Sequence, residues 1–531
     1  MGPMGASPDH PTSDPSALPP SIFNDVLGPV MRGPSSSHSA ASVRIGRLAR
    51  QLLGGPLEEV LVEFDTGGSL ATTYESQGSA LGMHAGLLGW EADDARIPEG
   101  AQHLAAAGIR VEVRARELGD PHPNTYRLTV TGPQGSARLV ALSTGGGMIE
   151  VVEVDGFPVS LRGDTHVALV RGAATAPEGA ASFLRAKVAE SAGETLLVVE
   201  SEEPLDPAAL GVEPDAIRRL EPVLPVPSRA DLSVPFLHAG ELAAQADLTG
   251  APLSTFALQY ECARSGFSEE QVLATMERLR RIMRAGIDGG LAGTHAEDRL
   301  LPRQSDGFQA ALEEGRLHDA GLLNRTILYV TALMETKSSM GTIVAAPTAG
   351  SCATFPATCL AAAEDMGADE ERTLRAMLAA GLIGVFVTTR SSFAAEVGGC
   401  QAETGAGAAM AAAALVELSG GSAERALSAA SHALQNVLGL ICDPIANRVE
   451  APCLGRNVTG AANAIASANM ALAGYDHLVP LDEVLDAHRE VSASMARELR
   501  CTALGGLSVT PTSKALEARL AACSSGGCGT C

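Results

Sequence analysis

Residues 396–453 read EVGGCQAETGAGAAMAAAALVELSGGSAERALSAASHALQNVLGLICDPIANRVEAPC, and we expect the rest of the chain to enclose them. Cys400, Cys442 and Cys453 stand at Gly- or Pro-punctuated ends of apolar helical stretches, where the backbone can bend so that several thiolates converge. Three such cysteines suit an iron–sulfur cluster with one open iron, or a zinc site with an open position. Composition alone favours three buried free cysteines, since cysteine is among the residues most often buried.

The composition indicates a globular protein that acts on a small molecule. The chain has 531 residues, 46% of them hydrophobic and 19% charged, which is enough to bury a large core over several domains. Its formal net charge of −24 and its isoelectric point near 4.9 argue against nucleic acid and anionic membranes as partners, because both require a cationic face.

Cysteine usage predicts a reduced, cytoplasmic setting. Ten cysteines in a chain of this length do not make a disulfide scaffold, and residues 1–20 lack the basic and apolar regions of a signal peptide. Clustered cysteines in such a setting are typical of metal-binding or catalytic sites. The longest apolar run, Ala376–Val387, is too short to cross a bilayer, so we expect a core helix and no membrane span.

The predicted fold is multidomain, with an α+β domain, a small ACT-like α/β domain and a large all-α catalytic domain. The small domain is similar to ACT regulatory domains in size and element order, and a structural linker domain is the alternative. The expected boundaries are residues 1–20 for a disordered tail, 21–162 for the α+β domain, 163–227 for the ACT-like domain, 228–516 for the all-α domain and 517–531 for a Cys-bearing tail.

Hydrophobic periodicity predicts the individual elements. The predicted strands are Val60–Phe64, Val111–Arg114, Tyr126–Thr131, Met148–Val154, His166–Arg171 and Thr195–Glu200. The predicted helices are Ala41–Leu53, Gly78–Gly89, Pro177–Glu190, Val272–Ala285, Leu322–Met334, Glu370–Val387, Gly405–Leu418, Ala423–Leu438 and Thr459–Ala473.

Two polar turns are candidates for substrate contacts. Gly33–Ser39, sequence GPSSSHS, precedes a helix, and free N–H groups with hydroxyls at a helix start suit a carboxylate or a phosphate. A serine N-cap with a surface histidine explains the same pattern. His122 stands between two prolines in a second turn, where an ordinary loop residue is the alternative to a catalytic one.

Seven strings, in this order along the chain, resemble the iron–sulfur-dependent L-serine dehydratases in a fused, β-then-α single-chain form. The resemblance extends from Phe23 to about Leu516, and the spacing of the three cysteines is also similar to that of the family's cluster ligands. The strings are GPSSSHSAASVRIGRLARQLLGG (33–55), HPNTYR (122–127), STGGGMIEVVEVDGFPV (143–159), SSMGTIVAAPTAGSC (338–352), AEVGGCQAETGAGAAMAAAALVELSGG (395–421), GLICDPIANRVEAPCLGRN (439–457) and TALGGLSVTPT (502–512).

The resemblance implies a [4Fe–4S] cluster held by Cys400, Cys442 and Cys453, with no pyridoxal phosphate. Some members use a C-terminal cysteine as a displaceable fourth ligand, a role open to Cys531, or to Cys528 nearby; a tail with incidental thiols is the alternative. The remaining cysteines are expected to be non-ligands, namely Cys262, Cys352, Cys359 and Cys501.

The other expected site residues suit the chemistry that the resemblance implies, and Lys337 and Arg390 are included as departures from the family pattern near the expected site. The expected catalytic residues are His122, His38 and Ser351. The expected substrate-binding residues are Ser35, Ser36, Ser37, His38, Asn124, Thr348, Gly350, Lys337 and Arg390.

Three departures from the family pattern bear on the substrate. Ser76–Ala80, SQGSA, stands where many members have GHGTD, so Gln77 replaces a histidine and cannot accept a proton at neutral pH; His84 follows two helical turns later. Lys337 and Arg390 replace parts of asparagine-containing stretches, and these extra cations favour a more acidic or larger substrate.

The expected function is dehydration and deamination of L-serine, or of a related β-hydroxy or β-substituted amino acid, to a 2-oxo acid and ammonia. The alternatives are a redirected enzyme acting on a larger or more acidic amino acid, β-elimination of a thiol, a non-catalytic cluster-bearing sensor, and zinc in place of the cluster. The resemblance also implies a homodimer.

Overall fold

The computed structural model describes residues 18–173, 183–213, 217–229, 232–296 and 299–524. The N-terminal part contains mixed sheets and helices, and the part after residue 232 is helical apart from one short strand. The strands are β1 Val30–Met31, β2 Glu59–Asp65, β3 Arg110–Arg116, β4 Thr125–Gly132, β5 Gly135–Gly145, β6 Met148–Val154, β7 Phe157–Leu161, β8 His166–Arg171, β9 Arg185–Ser191, β10 Glu194–Ser201, β11 Ile217–Leu220 and β12 Ile343–Val344.

The helices include all of the predicted C-terminal ones, with small shifts at their ends. They are α1 Ala41–Leu53, α2 Leu70–Thr73, α3 Ser79–Leu87, α4 Gly100–Ala106, α5 Ala239–Thr249, α6 Leu253–Ser265, α7 Glu269–Ala292, α8 Ser305–Glu313, α9 Leu322–Ser338, α10 Thr354–Asp365, α11 Glu370–Arg390, α12 Ala395–Gly398, α13 Ala406–Leu418, α14 Ala423–Gln435, α15 Cys453–Leu472, α16 Leu481–Ser494 and α17 Pro511–Ser524. Short helical turns lie at Ile22–Val26, Ser36–Ala40, Ile97–Glu99, Pro207–Leu210, Gln401–Gly405, Ile445–Asn447, Arg497–Leu499 and Gly506–Val509.

A six-stranded sheet with the order β3-β2-β4-β5-β6-β7 organises the N-terminal part. Only the β2–β3 pair is parallel. Helix α1 packs on β4, β5 and β6, and α3 packs on α1. The two helices approach closely at Gly86, where a Cβ would lie 2.2 Å from the Val43 carbonyl oxygen, so this crossing requires a residue without a side chain.

The smaller sheet, with the order β11-β8-β10-β9, is antiparallel throughout. The helix predicted for 177–190 is wrong over 185–190, because those residues form β9. Ala192 and Gly193, at φ 50° and 83°, form a two-residue turn of the kind that favours hairpins, and pairing with β10 outweighs helix propensity. Residues 174–182 lie outside the described ranges, so the ACT-like assignment stays a prediction.

Helix α13 is the centre of the helical part. All thirteen of its residues are buried, and it contacts α10, α11, α14 and α15. Its small alanine side chains allow these neighbours to approach on every side. Within the described residues, one helix, Glu370–Arg390, is long and apolar enough to cross a membrane, but 78% of its most apolar window is buried inside the protein. This confirms the predicted core helix.

Strand pairing and apolar contacts join the N-terminal segment to the helical part. Strand β1 pairs with β12, with Val30 opposite Val344. Val26 packs against α11 at Gly384, where a Cβ would lie 2.1 Å from a Val26 methyl carbon. The turn Gly33–Ser39, which follows β1 and is called the serine-rich turn below, is therefore fixed against the helices.

The crossing of α7 and α9 provides a stability test. A Cβ at Gly290 would lie 2.0 Å from the Ala332 carbonyl oxygen, and a backbone atom cannot move aside cheaply. Gly290→Ala is therefore expected to lower the free energy of unfolding by about 1–3 kcal/mol, measured by urea denaturation. Gly307→Ala is the matched control in α8, since no atom lies within 4 Å of the added carbon, and it should stabilise by about 0.5–1 kcal/mol. Equal effects of the two substitutions would contradict the packing argument.

A buried carboxyl on α6 predicts a pH dependence of stability. Glu261 accepts hydrogen bonds from Ser21 Oγ at 2.7 Å and from the Ile22 amide at 2.8 Å, and burial raises the pKa of Glu261 to about 7 from 4.5. Between these values the folded chain holds a proton that the unfolded chain has released. The free energy of unfolding should therefore fall as pH rises from 4.5 to 7, by on the order of 3 kcal/mol.

Glu261→Gln should remove this dependence, because an amide does not titrate and its oxygen can still accept one of the two hydrogen bonds. Urea midpoints at several pH values between 4.5 and 7.5 measure the effect. Glu490→Gln, at an exposed position on α16, is the control and should follow the parent curve. A parent curve and a Glu261→Gln curve that run parallel would refute the assignment.

Candidate active site

A narrow cavity of about 10 Å³, room for about one water molecule, lies where the serine-rich turn meets the helical part. It is enclosed by polar groups from both halves of the chain and by three thiols. The lining residues are Ser35, Ser37, Gln77, Ala395, Glu396, Glu403, Cys442, Pro444, Val449, Cys453 and Cys501. We call this the inner cavity.

Cys400 and Cys442 meet beside the inner cavity. The Cys400 thiol, the Cys442 thiol and a Glu403 carboxylate oxygen all lie within 4.8 Å of one another. The bend that presents Cys400 requires Gly399, which has φ 69° and whose Cβ would lie 2.7 Å from the Leu440 carbonyl oxygen. The sequence prediction that glycine lets the chain bend at this cysteine is confirmed.

The Cys400 thiol has the electrostatics of a metal ligand. It is buried, and Arg456 donates to its sulfur at 3.1 Å while also pairing with Asp443. The hydrogen bond from Cys442 and the guanidinium of Arg456 lower the pKa of Cys400 to about 7, whereas the pKa of Cys442 is raised because its thiol donates to Cys400. A thiolate is the form of cysteine that binds metal, so one negative charge is already favoured here.

Cys453 is positioned by the first turn of α15. Asn457, one turn later, donates to the Gly350 carbonyl at 2.8 Å and accepts from the Thr354 amide at 3.0 Å. These bonds fix the start of α15 against the turn that precedes α10. The Cys453 sulfur is therefore held at the cavity by a rigid helix end.

The donor set fits an iron–sulfur cluster. Cys400, Cys442 and Cys453 are 2%, 4% and 6% exposed, and all are free thiols in the described part of the chain. Sulfur donors suit soft metal centres, and three of them leave one iron of a four-iron cluster available. Glu396 also supports a bound group at this site. Its buried Oε2 has no hydrogen-bond partner among the described residues, and Glu396 lines the inner cavity.

The serine-rich turn forms a closed network around His38. Ser37 donates to Glu396 Oε1 at 2.7 Å, so Ser35 supplies the proton to His38 Nδ1 at 3.1 Å. Thr73 Oγ1 donates to the Ser69 carbonyl and therefore accepts from His38 Nε2 at 2.7 Å. Both ring nitrogens are engaged, and burial lowers the pKa of His38 although Glu396 opposes this. His38 is thus a positioning residue for the serines and Glu396.

A wider outer cavity of about 410 Å³ meets the inner cavity at Glu396, which lines both. Its wall includes His122 and two arginines. Its lining residues are Gly67, Gly68, Asp120, Pro121, His122, Pro123, Glu396, Val397, Arg497, Arg500 and Thr502.

His122 presents a donor to the outer cavity. The Asn124 backbone amide donates to His122 Nδ1 at 3.2 Å, so the neutral ring carries its proton on Nε2. Burial lowers the pKa of His122, against the opposing effect of Glu396. The neighbouring Asn124 side chain is fully buried, and neither its oxygen nor its nitrogen has a partner among the described residues. Asn124 belongs to neither cavity wall in the described part of the chain.

The turn before α10 contacts the inner cavity through Glu403. Thr348 Oγ1 donates to Glu403 Oε1 at 2.7 Å and lies 3.0 Å from Ser351 Oγ. Gly350 packs against the same carboxyl group, since a Cβ there would lie 2.7 Å from Glu403 Oε1. Burial, and next the charge of Cys400, raise the pKa of Glu403 to about 8. Ser36 joins this turn to the serine-rich turn by accepting from the Ala349 amide at 3.2 Å.

Lys337 and Arg390, the two cations that depart from the family pattern, lie in different surroundings. Lys337 is buried and donates to the carbonyl of Val449, a residue of the inner cavity wall. Arg390 pairs with Asp486 at 2.6 Å, and among the described residues it belongs to neither cavity wall. His84 likewise belongs to neither wall, and Cys531 lies outside the described residues.

Glu396 and Glu403 were not singled out from the sequence, and Cys501 was named only as an expected non-ligand. Glu396 and Glu403 stand four residues before and three residues after Cys400, and this closeness in the sequence was the available signal. Cys501 carries no comparable local signal, because its neighbours in the cavity are distant in the chain.

Comparison with known proteins agrees with this geometry. A family model described as the serine dehydratase alpha chain matches residues 230–508. The probable L-serine dehydratase alpha chain of Bacillus subtilis is 38% identical over 253 residues, covering 48% of this chain and 84% of the relative. The L-serine dehydratase alpha chain of Peptoniphilus asaccharolyticus is 39% identical over 272 residues, covering 50% and 92%. The probable L-serine dehydratase beta chain of Bacillus subtilis is 42% identical over 150 residues, covering 28% and 67%.

Proposed function

This chain belongs to the L-serine dehydratase family of lyases, and we propose that it converts L-serine to pyruvate and ammonia with a [4Fe–4S] cluster bound by Cys400, Cys442 and Cys453. The observation that carries the proposal is one cavity lined by Cys442, Cys453, Glu396 and two serines of the serine-rich turn, with the Cys400 thiol close to Cys442 and Glu403. When bound, the cluster supplies a Lewis-acidic iron that polarises the substrate's hydroxyl and carboxylate.

The chain combines both halves of the two-chain enzymes. The alpha-chain family model begins at residue 230, and a beta chain is also similar to part of this sequence. The serine-rich turn comes from the N-terminal part and the cysteines from the helical part. Covalent fusion keeps both contributions to the site together.

The serine-rich turn is suited to the substrate carboxylate. Ser35 and Ser37 line the inner cavity at the start of the helical turn that leads into α1, where backbone N–H groups and the positive end of the helix dipole favour an anion. The outer cavity carries Arg497 and Arg500, whose positive charges attract the carboxylate of the zwitterionic substrate.

We assign removal of the proton to Glu396 and stabilisation of the leaving group to His122. Glu396 Oε1 is held by Ser37, which leaves Oε2 as an acceptor for the Cα proton. The neutral His122 ring can donate a hydrogen bond from Nε2, which suits it to stabilise the departing hydroxide rather than to act as the base. Loss of a proton and of hydroxide from serine gives 2-aminoacrylate, whose imine tautomer hydrolyses in water to pyruvate and ammonia.

The positions of the extra cations favour serine over a more acidic substrate. Lys337 is engaged by the Val449 carbonyl and Arg390 by Asp486, so neither offers an unengaged cation to a second carboxylate.

The test is anaerobic reconstitution of the full chain, with iron and sulfide quantified, followed by pyruvate assays with L-serine, L-threonine, L-cysteine and L-aspartate. The proposal expects about four irons and four sulfides per chain, with L-serine giving the highest kcat/KM. Mössbauer spectra should show one iron changed by L-serine. A reconstituted chain that turns over no L-serine, or zinc in place of iron, would overturn it.

A further inference from the structure

Cys501 lies beside the expected cluster ligands. It is 3% exposed, packs with Cys400 and Cys442, and lines the inner cavity together with Cys442 and Cys453. Its thiol lies within hydrogen-bonding reach of the Cys442 thiol. Four cysteines from three separate segments therefore lie at or beside the inner cavity.

The backbone fixes this position. The Cys501 amide donates to the Cys442 carbonyl at 3.0 Å, and the Cys442 amide donates to the Leu499 carbonyl at 2.8 Å. Cys501 also has a φ of 57°, a left-handed conformation that costs a cysteine energy and that persists only when its surroundings impose it. The two bonds place the Cys501 side chain next to a cluster ligand.

Gln77 is a hydrogen-bond donor to this sulfur. Its Nε2 lies 3.3 Å from Cys501 Sγ and 3.2 Å from Asn447 Oδ1, and it is buried in the cavity wall. A glutamine amide donates at every pH, so it stabilises a thiolate. Gln77, which stands where the family pattern has histidine, thus has a defined partner in this chain.

We propose that Cys501 is the fourth thiolate ligand of the resting cluster and is displaced when substrate binds. This rests on the proposed function, because it requires the cluster at Cys400, Cys442 and Cys453. The exchange of the Cys501 thiolate for the substrate carboxylate replaces one anionic donor by another and needs no oxidant or reductant. The displaced thiolate remains hydrogen bonded to Gln77. A cluster with four thiolate ligands is protected from loss of iron until substrate arrives.

The test compares reconstituted parent, Cys501→Ala, Cys501→Ser and the tail variant Cys528→Ser/Cys531→Ser. Iron and sulfide content, Mössbauer spectra without substrate and the rate of conversion to a three-iron cluster under limited oxygen are measured. Cys501→Ala should show one distinct iron without substrate and lose it at least ~10-fold faster than the parent. The tail variant should match the parent, as should Cys359→Ala, a buried-cysteine control on α10.

The outcomes separate the two proposals. A parent with no cluster overturns both this proposal and the proposed function. A parent with a cluster whose properties are unchanged in Cys501→Ala and Cys501→Ser overturns only the role of Cys501. A tail variant that alone shows the distinct, rapidly lost iron assigns the fourth ligand to the C-terminal cysteines instead. Because Cys501→Ser keeps the side-chain size, it serves where Cys501→Ala fails to fold.

Discussion

Cys442→Ala is expected to abolish cluster assembly and to lower pyruvate formation from L-serine by at least about 1000-fold, equivalent to roughly 4 kcal/mol of transition-state stabilisation. The Cys442 thiol lies next to both the Cys400 and the Cys501 thiols, so its loss removes the cysteine that connects the other two. The measurements are iron per chain after anaerobic reconstitution and initial rates of pyruvate release.

The control for this substitution is Cys262→Ala. Cys262 is a partly exposed free cysteine on α6, and it belongs to neither cavity wall in the described part of the chain. It should retain iron, activity and melting temperature. A Cys442→Ala chain that keeps about four irons and full turnover would exclude Cys442 as a ligand.

Glu396→Gln is expected to lower kcat by about 100- to 10,000-fold while leaving the iron content unchanged. The amide oxygen of glutamine can still accept from Ser37, so the serine-rich turn keeps its contact, but the group at Oε2 can no longer take a proton. Because the substitution removes the proton acceptor and not a substrate contact, KM for L-serine should change little.

Exchange of the substrate's α-hydrogen with deuterated water provides a readout that a merely structural role would not affect. If proton removal is reversible, L-serine recovered from the parent enzyme should contain deuterium at Cα. L-serine recovered from Glu396→Gln should contain none. Glu490→Gln, on the exposed face of α16, is the matched control and should behave as the parent. Normal turnover by Glu396→Gln would assign the base to another residue of the cavity.

Local sequence information predicted the long helices with clear periodicity and half of the described strands, but it gave no separate prediction for elements such as Gly135–Gly145 and Leu481–Ser494. Ala41–Leu53 was predicted with its observed ends, because its apolar spacing and the following glycine are local signals. Helix α15 begins at Cys453 and not at the predicted Thr459, since Pro452 starts the helix earlier than its apolar pattern suggested. Strand β9 was missed because its residues favour a helix until β10 pairs with them.

The sequence by itself determined the helical core around α13, the thiol chemistry available at three bends and the resemblance to a family. Which polar groups contact the cysteines was decided only by the tertiary structure. Gln77 and Cys501 are separated by 424 positions and meet at 3.3 Å, whereas Arg390 is drawn to Asp486. Short-range patterns determine secondary structure through backbone geometry and side-chain periodicity. Contacts between distant segments depend on how the elements pack, and no local pattern contains that information.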